Sequence, residues 1–141
     1  MGSPILHESI ANLELPDLIT GHIAGTPVLP KNPAISLLVR YPGSGETIAS
    51  LQEDDAAQVA TAVAAAKARF ESGEWSQSTI EERQRVLRAT AQAIRTHANE
   101  LALRESICAG LPLAHLAARQ IPRAADNFDF FADYIGVLAG E

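Results

Sequence analysis

The composition changes sharply near residue 53, and this change limits the folds that the chain can adopt. Most of its prolines lie before that point, among short runs of leucine and β-branched residues that favour extended structure. After it, alanine, arginine and glutamate dominate, which is typical of amphipathic helices. We therefore expect a short extended section followed by a largely helical one.

Start and stop signals divide the helical section. Negative charge at Glu53-Asp54-Asp55 complements the dipole of a first helix, and Gly73 allows that helix to end. Thr79 and Glu82 have the spacing of a capping box, so a second helix is expected to begin there. Gly110 followed by Pro112 predicts where it stops.

A proline predicts one further boundary. Pro122 lies inside the apolar segment from Leu113 to Leu138, so we expect two helices that meet near Ile121-Pro122, with Pro122 in the first turn of the second. Three apolar stripes at helical spacing are expected, and the phenylalanines of the third are interpreted as core residues. The stripes are Val59, Val63, Ala66 and Phe70; Ile80, Leu87, Ala91, Ile94, Ala98 and Leu101, running to about Cys108; and Ala124, Phe128, Phe131, Ile135 and Leu138.

The Gly43-Ser44-Gly45 turn has two interpretations, a phosphate-binding loop or the bend of a hairpin. A phosphate-binding loop requires a following helix whose N-terminal amides hold the anion. Here Thr47 to Leu51 has a strand pattern, and Glu46 would place a carboxylate beside the phosphate. We therefore predict a hairpin that pairs Leu37–Arg40 with Thr47–Leu51, with positive φ angles at the glycines.

Length and charge exclude several classes of function. The chain has 141 residues and a formal net charge of −6. Its arginines alternate with acidic residues, which argues against nucleic acid or an anionic membrane as a partner. No apolar run approaches the ~20 residues that span a bilayer, and the first residues lack a secretory signal. The single cysteine cannot form an internal disulfide, so we expect a cytoplasmic location.

The reactive side chains do not predict a complete active site. Cys108 is a candidate nucleophile with His115 nearby in sequence, but cysteine is among the most often buried residues, so we expect a structural role for it. The acidic clusters Glu81-Glu82 and Glu53–Asp55 are interpreted as helix starts. The histidines lack the spacing of metal ligands; they are His7, His22, His97 and His115.

An ordered series of short motifs carries a family resemblance. The motifs are a short strand expected at Leu18–His22, the turn Pro42–Glu46, the helix Asp55–Phe70 with Trp75, and the segments Ile80–Arg88, His97–Ala102, Glu105–Pro112 and Arg123–Phe128. Together they resemble the N-terminal portion of the aldehyde dehydrogenase superfamily, over about residues 18–141. Gly110–Pro112 followed by Ile121–Ala132 is most similar to the semialdehyde dehydrogenases of aromatic ring-cleavage pathways, in particular those acting on carboxymethyl-hydroxymuconate semialdehyde. Leu111 stands where most family members have lysine.

The resemblance implies an α/β parent fold with a Rossmann-type cofactor domain. This chain would supply its mostly α-helical part, preceded by an N-terminal β-hairpin. The implied divisions are an N-terminal extension at 1–17, a β-strand and hairpin segment at 18–52, and an incomplete helical part of the cofactor-binding domain at 53–141. The catalytic domain would be absent.

The resemblance also implies a chemistry that these residues do not carry. In the family a cysteine thiolate attacks an aldehyde, a hydride passes to NAD or NADP, and a glutamate-activated water releases the acid. Those motifs lie downstream, so the resemblance assigns no catalytic, cofactor-binding or metal-binding residue here, and we expect the chain alone to be inactive and to bind no cofactor. Cys108 does not match the catalytic cysteine. It occupies a position where the family commonly has an aspartate that helps a structural cation site, and Tyr41 replaces a usual asparagine.

Three hypotheses follow. The chain is the N-terminal part of an NAD(P)-dependent aldehyde dehydrogenase whose partner is the remainder of the enzyme, and the complete form is a homo-oligomer. Alternatively, it is a non-catalytic helical interaction or assembly module derived from such an enzyme, which binds a full-length relative. A third hypothesis is an independent helical domain that has repacked on itself. The first two predict uncovered apolar faces at Phe70, Leu87, Ile94, Phe128 and Phe131.

Overall fold

A computed structural model describes residues 13, 15–29 and 36–137 of the chain. Five strands come first: β1 (Leu18–Ile19), β2 (His22–Ile23), β3 (Thr26–Pro27), β4 (Ser36–Arg40) and β5 (Thr47–Gln52). The helices follow: α1 (Ala56–Glu71), α2 (Ile80–Thr96), α3 (Ala98–Ala109), α4 (Leu113–His115), a π-helical turn (Leu116–Gln120) and α5 (Ile121–Tyr134). The predicted division into an extended front and a helical back is confirmed.

The predicted hairpin consists of β4 and β5. It belongs to a three-stranded sheet with the order β1-β5-β4, in which β5 is the central strand. β4 and β5 are antiparallel, with Leu37 opposite Leu51 and Val39 opposite Ala49, and β1 joins β5 in parallel. The expected single strand from Leu18 to His22 is divided instead, because its second half pairs with β3 in a separate two-stranded ribbon. Ala24 and Gly25 make the tight turn of that ribbon with positive φ angles.

The turn between β4 and β5 is closed by its own backbone. The amide of Tyr41 donates to the carbonyl of Glu46 at 2.9 Å, and the amide of Gly45 donates to the carbonyl of Tyr41 at 2.8 Å. Gly45 has a φ angle of +77°, as predicted. The same prediction is wrong for Gly43, which is not among the described residues with positive φ, because the turn needs only one left-handed residue.

Helix α1 begins with a complete capping box. The amide of Gln58 donates to the Asp55 carboxylate at 2.7 Å, and the amide of Asp55 donates to the Gln58 side chain at 3.0 Å. Gln58 also donates to the carbonyl of Leu29 at 3.2 Å, which ties the helix start to the chain after β3. Gly73, with a φ angle of +72°, follows the end of the helix, as predicted.

Two details of α2 and α3 differ from the predictions. Only half of the second capping box forms: the amide of Glu82 donates to the Thr79 hydroxyl at 3.2 Å, whereas the Glu82 carboxylate accepts from Arg85. The predicted continuous stripe to Cys108 is interrupted at His97, whose φ and ψ angles of −100° and 16° separate α2 from α3. Weak helix formers around it, Thr96 and Asn99 among them, make that bend less costly. Gly110 ends α3 in the left-handed conformation, with a φ angle of +70°.

The junction near Ile121-Pro122 is a widened helical turn and not a break between two helices. The amide of Ile121 donates to the carbonyl of Leu116, five residues earlier, which is the π-helical pattern. Pro122 lies at the start of α5, where its ring would collide with the carbonyl four residues back in a regular α-helix. We attribute the widening to Pro122, because the wider turn removes the clash between its ring and that carbonyl without ending the helix.

The core of the described residues is small and built mainly of alanine. The large apolar side chains buried there are Leu116 and Ile107, and they accompany Ala91, Ala102, Ala125 and Ala132. The third predicted stripe is therefore wrong in part: Ala125 and Ala132 are the buried residues of α5, whereas Phe128 and Phe131 are exposed. Leu138, the last member of that stripe, lies outside the described residues.

Among the helices of the described residues, none is both long enough and apolar enough to cross a bilayer.

Candidate functional site

Helix α1 presents an apolar stripe to solvent, defined by Val59, Val63 and Phe70. Their exposed fractions are 53%, 64% and 79%, while Gln58 on another side of the helix is buried. The capping box fixes the start of the helix, so the stripe is held in one orientation. Large side chains exposed in a row are typical of a surface that another polypeptide covers.

Helix α5 presents a second such surface, an aromatic patch formed by Phe130, Phe131 and Tyr134. The rings of Phe130 and Phe131 meet edge to face at 5.2 Å, and those of Phe130 and Tyr134 stack at 5.8 Å. Phe131 remains 56% exposed, so the contacts among the rings leave much of their surface in water. Exposed aromatic clusters of this kind are common at the centres of protein interfaces.

Polar bonds to α2 fix the position of that patch. The Gln84 side chain donates to the carbonyl of Ala132 at 2.8 Å, and Arg88 donates to Asp133 at 2.7 Å. At the other end of the helix pair, Arg95 lies 2.8 Å from Asp126 and 2.7 Å from Asp129. The partners run in opposite directions along the two helices, so α2 and α5 pack antiparallel.

The ion pairs act on the pKa values of the groups in them. Hydrogen bonds to Asp129 and then to Asp126 raise the pKa of Arg95. The hydrogen bond from Arg85 lowers the pKa of Glu82. These groups lie at the surface, so the pairs orient the helices and add little to stability.

An open groove of about 750 Å³ lies between the β2–β3 ribbon and α1. Its floor consists of α1 alanines, and its titratable side chains are His22 and Arg69. Arg69 is already paired with Glu74. The hydroxyl of Ser72, which also lines the groove, donates to the carbonyl of Arg69 at 2.7 Å, and no carboxylate is among the lining residues. The geometry of the groove therefore fits packing better than catalysis.

The structure corrects the expectation for Cys108. The thiol is exposed and not buried, because the α3 residues that face the core are Ala102, Ser106 and Ile107. Ser106, two positions earlier, takes the inward place and donates to the carbonyl of Leu111 at 2.8 Å. An exposed thiol without a general base does not form a catalytic pair.

The other predicted site residues are dispersed. His22 lines the groove beside α1, His97 lies 3.7 Å from Glu100, and His115 lies 3.0 Å from the Gln120 side chain. His7 is outside the described residues. Within the described part of the chain, no three of His, Cys, Asp and Glu are grouped as metal ligands. The acidic clusters serve as helix starts, since Asp55 caps α1 and Glu81 and Glu82 lie in the first turn of α2.

The Gly43–Gly45 turn is not followed by a helix, as a phosphate-binding loop would be. It leads into β5, so it offers no helix N-terminus for a pyrophosphate. Sequence reasoning missed the cross-helix pairs of Arg88 and Arg95, whose partners lie more than thirty residues away. The sequence does show arginines on one predicted helix and aspartates on another. This pattern indicates that the two helices could form ion pairs, but it does not specify which residues pair.

Comparisons with known proteins agree on one family. The model of the aldehyde dehydrogenase family matches residues 31–141. Aldehyde dehydrogenase tropH of Talaromyces stipitatus is 39% identical over 100 residues, which are 71% of this chain and 19% of that protein. The 5-carboxymethyl-2-hydroxymuconate semialdehyde dehydrogenase of Escherichia coli is 33% identical over 104 residues, 74% of this chain and 22% of that protein.

The folds are similar as well. The crystal structure of gamma-glutamyl-gamma-aminobutyraldehyde dehydrogenase from Burkholderia cenocepacia J2315 superimposes with a TM-score of 0.83 and 29% identity, over 94% of this chain and 26% of that one. The chain thus spans about a fifth of the length of these two curated relatives and about a quarter of the solved structure. The expectation of a mostly helical portion of this fold, with an N-terminal hairpin, is confirmed.

Proposed function

Because the chain belongs to the aldehyde dehydrogenase family, we propose that it forms the N-terminal part of an NAD(P)-dependent enzyme that oxidises an aldehyde to a carboxylic acid. The single observation that carries the proposal is the family match over residues 31–141. The nicotinamide cofactor would accept a hydride in the complete enzyme. The residues of this chain would supply packing surfaces and not chemical groups.

The exposed faces support this role. The α1 stripe and the aromatic patch each leave large apolar side chains uncovered, while the described core is mostly alanine. Burial of apolar surface contributes about 25 cal/mol per Å², so a covering polypeptide would stabilise these helices substantially. We propose that the covering polypeptide is the remainder of the enzyme, and that the complete enzyme is a cytoplasmic homo-oligomer.

The same surfaces bear on the two alternatives. A domain that has repacked on itself would bury its stripes, and Phe70 at 79% exposure is not buried by any described residue. A non-catalytic module that binds a full-length relative would use the same uncovered faces. It differs in its consequence, since such a module would alter the assembly of an intact enzyme without restoring activity to an incomplete one.

We also propose a finer assignment. The segment Ile121–Ala132 and the residue Leu111 are similar to the ring-cleavage semialdehyde dehydrogenases, and the Escherichia coli relative acts, by its name, on 5-carboxymethyl-2-hydroxymuconate semialdehyde. A semialdehyde is therefore the proposed substrate class. Cys108 in place of a cation-site aspartate suggests that this member lacks that cation site, since a thiol is a poor ligand for a hard monovalent cation. The proposed divisions remain 1–17, 18–52 and 53–141.

The test is complementation. The chain is co-purified with the part of the Escherichia coli relative that this chain does not cover, and NADH formation is followed with a semialdehyde and with betaine aldehyde. We expect no activity from either part alone and semialdehyde-dependent NADH formation from the mixture. NADH formation by the purified chain alone would overturn the proposal. So would a stable but inactive complex in the mixture, if the chain also disperses the oligomers of an intact enzyme.

A further inference from the structure

The π-helical turn and the start of α5 form a second groove, of about 460 Å³, which we call the basic groove. Its polar lining includes His115, Arg119, Gln120 and Arg123. The groove lies away from the α1 stripe and from the hairpin, and the proposed function does not use it. Volumes of this size are typical of sites for small molecules.

The two arginines of the groove differ from the other described arginines. Every other one has a hydrogen-bond or ion-pair partner, as with Arg69 and Glu74, Arg88 and Asp133, and Arg104 and Glu100. Arg119 and Arg123 have none among the described residues. They are four positions apart and line the same groove, so two unneutralised charges lie together in a chain whose net charge is −6. Like charges at this spacing destabilise a helix unless an anion lies between them.

The acidic side chain that lines the groove, Asp126, is already engaged. Its carboxylate accepts from Arg95 at 2.8 Å, and Arg95 is held in turn by Asp129. The Asp126 carboxylate is therefore directed to α2, and among the described residues it forms no ion pair with Arg119 or Arg123.

The widened turn supplies further polar groups. The Gln120 amide nitrogen lies 3.0 Å from His115 Nε2, and this contact joins residues five apart, which is the spacing of the π-helical turn. The contact places an imidazole and an amide side by side at the edge of the groove. The groove thus combines two guanidinium groups with a histidine and a side-chain amide.

We propose that the basic groove binds a small oxyanion with two negative charges, either a dicarboxylate or a phosphate. Guanidinium groups donate paired hydrogen bonds to both kinds of anion, and two of them match two charges. An extended nucleic acid is not the expected ligand, because the basic residues are confined to a groove of small volume and the rest of the chain is acidic.

The test is calorimetric titration of the full 141-residue chain with succinate, inorganic phosphate and chloride at constant ionic strength. We expect saturable binding of at least one dianion, with a dissociation constant on the order of 1 mM, and no saturation by chloride. The double variant Arg119→Gln/Arg123→Gln should weaken binding about tenfold. Tighter binding of succinate would assign a dicarboxylate site, and tighter binding of phosphate a phosphate site.

The matched control is Arg69→Gln/Arg85→Gln, which changes the net charge equally in exposed ion pairs elsewhere. It should leave the dissociation constant within about twofold. The proposal is overturned if neither dianion saturates, or if both double variants lose affinity equally, since the effect would then be one of net charge. Circular dichroism of each variant confirms folding, and the titration requires no aldehyde or nicotinamide, so its outcome is independent of the proposed function.

Discussion

The side-chain nitrogen of Gln84 lies 2.8 Å from the carbonyl oxygen of Ala132, 48 residues away. Ala132 is fully buried near the end of α5, where backbone carbonyls lose their helical donors. The amide of Gly136, which would continue the helical pattern to Ala132, donates to Asp133 instead. A side chain of α2 therefore caps the end of α5, and this bond joins the two helices between Phe131 and Tyr134 of the aromatic patch.

We predict that Gln84→Met destabilises the chain by about 1–2 kcal/mol, because it keeps most of the side-chain volume but leaves the Ala132 carbonyl buried without a donor. Urea unfolding followed by circular dichroism measures the change. Gln92→Met is the matched control, since Gln92 is exposed on the same helix. Equal effects of the two substitutions would contradict a capping role for Gln84.

The start of α1 provides a second prediction. Asp55→Ala removes the carboxylate that accepts from Gln58, and we expect a loss of about 1 kcal/mol, the usual cost of deleting an N-cap. Asp54→Ala removes the neighbouring exposed carboxylate and should change stability by less than about 0.5 kcal/mol. Unfolding by urea again reports both values. If the Asp54 variant were the less stable, general charge at the helix start would matter more than the capping bond.

Replacing Gly110 with alanine would destabilise the chain in two ways, through its left-handed backbone and through a steric contact, and a comparison with Gly25 separates the two effects. The φ angle of Gly110 is +70°, and an added Cβ would lie 3.0 Å from Cβ of Pro42. Gly25 has a similar φ angle of +81°, but an added Cβ there would have no neighbour within 4 Å. We expect Gly25→Ala to cost about 1 kcal/mol from the left-handed backbone alone. Gly110→Ala should cost more, because Pro42 must also move. If the two variants unfold at the same midpoint temperature, the contact between the added Cβ and Pro42 does not contribute to the cost.

Local signals were sufficient for the features that neighbouring residues determine. The hairpin followed from a Gly-x-Gly turn flanked by strand residues, and the ends of α1 and α3 followed from Asp55, Gly73 and Gly110, since caps and turns act within a few positions. The bend at His97 was missed because no glycine or proline marks it. The π-helical turn was predicted only as a boundary, because Pro122 indicates an irregularity but not how the backbone accommodates it.

Burial could not be predicted in the same way, since it depends on which elements meet. The apolar stripe of α1 has regular helical spacing, yet Val63 and Phe70 face solvent. In α5 the alanines face α2 and the larger phenylalanines do not, because the polar bonds of Gln84 and Arg95 set the rotation of the helix. That Arg119 and Arg123 have no partner among the described residues is likewise not visible in the sequence, where they look no different from Arg88.

The exposure of Cys108 leads to a chemical prediction. Its thiol should react with a disulfide reagent such as dithiobis-nitrobenzoate in the native chain at nearly the rate seen in urea, because the side chain is accessible. Cys108→Ser should change the free energy of unfolding by less than about 0.5 kcal/mol. A native rate lower by several orders of magnitude would mean that the thiol is covered in solution, and the comparison in urea serves as the internal control.

The last prediction concerns the α1 stripe, whose largest residue, Phe70, is 79% exposed. Such a face tends to associate in water, so we expect the isolated chain to form oligomers whose mass increases with concentration in light scattering. Phe70→Glu should reduce that association at least severalfold, because a carboxylate is costly to bury at an interface. Ala89→Glu, at an exposed position of α2, adds the same charge outside the stripe and should have little effect. If the chain is a monomer at all concentrations, the stripe does not drive association. If both variants disperse the oligomers equally, charge and not the loss of Phe70 is responsible.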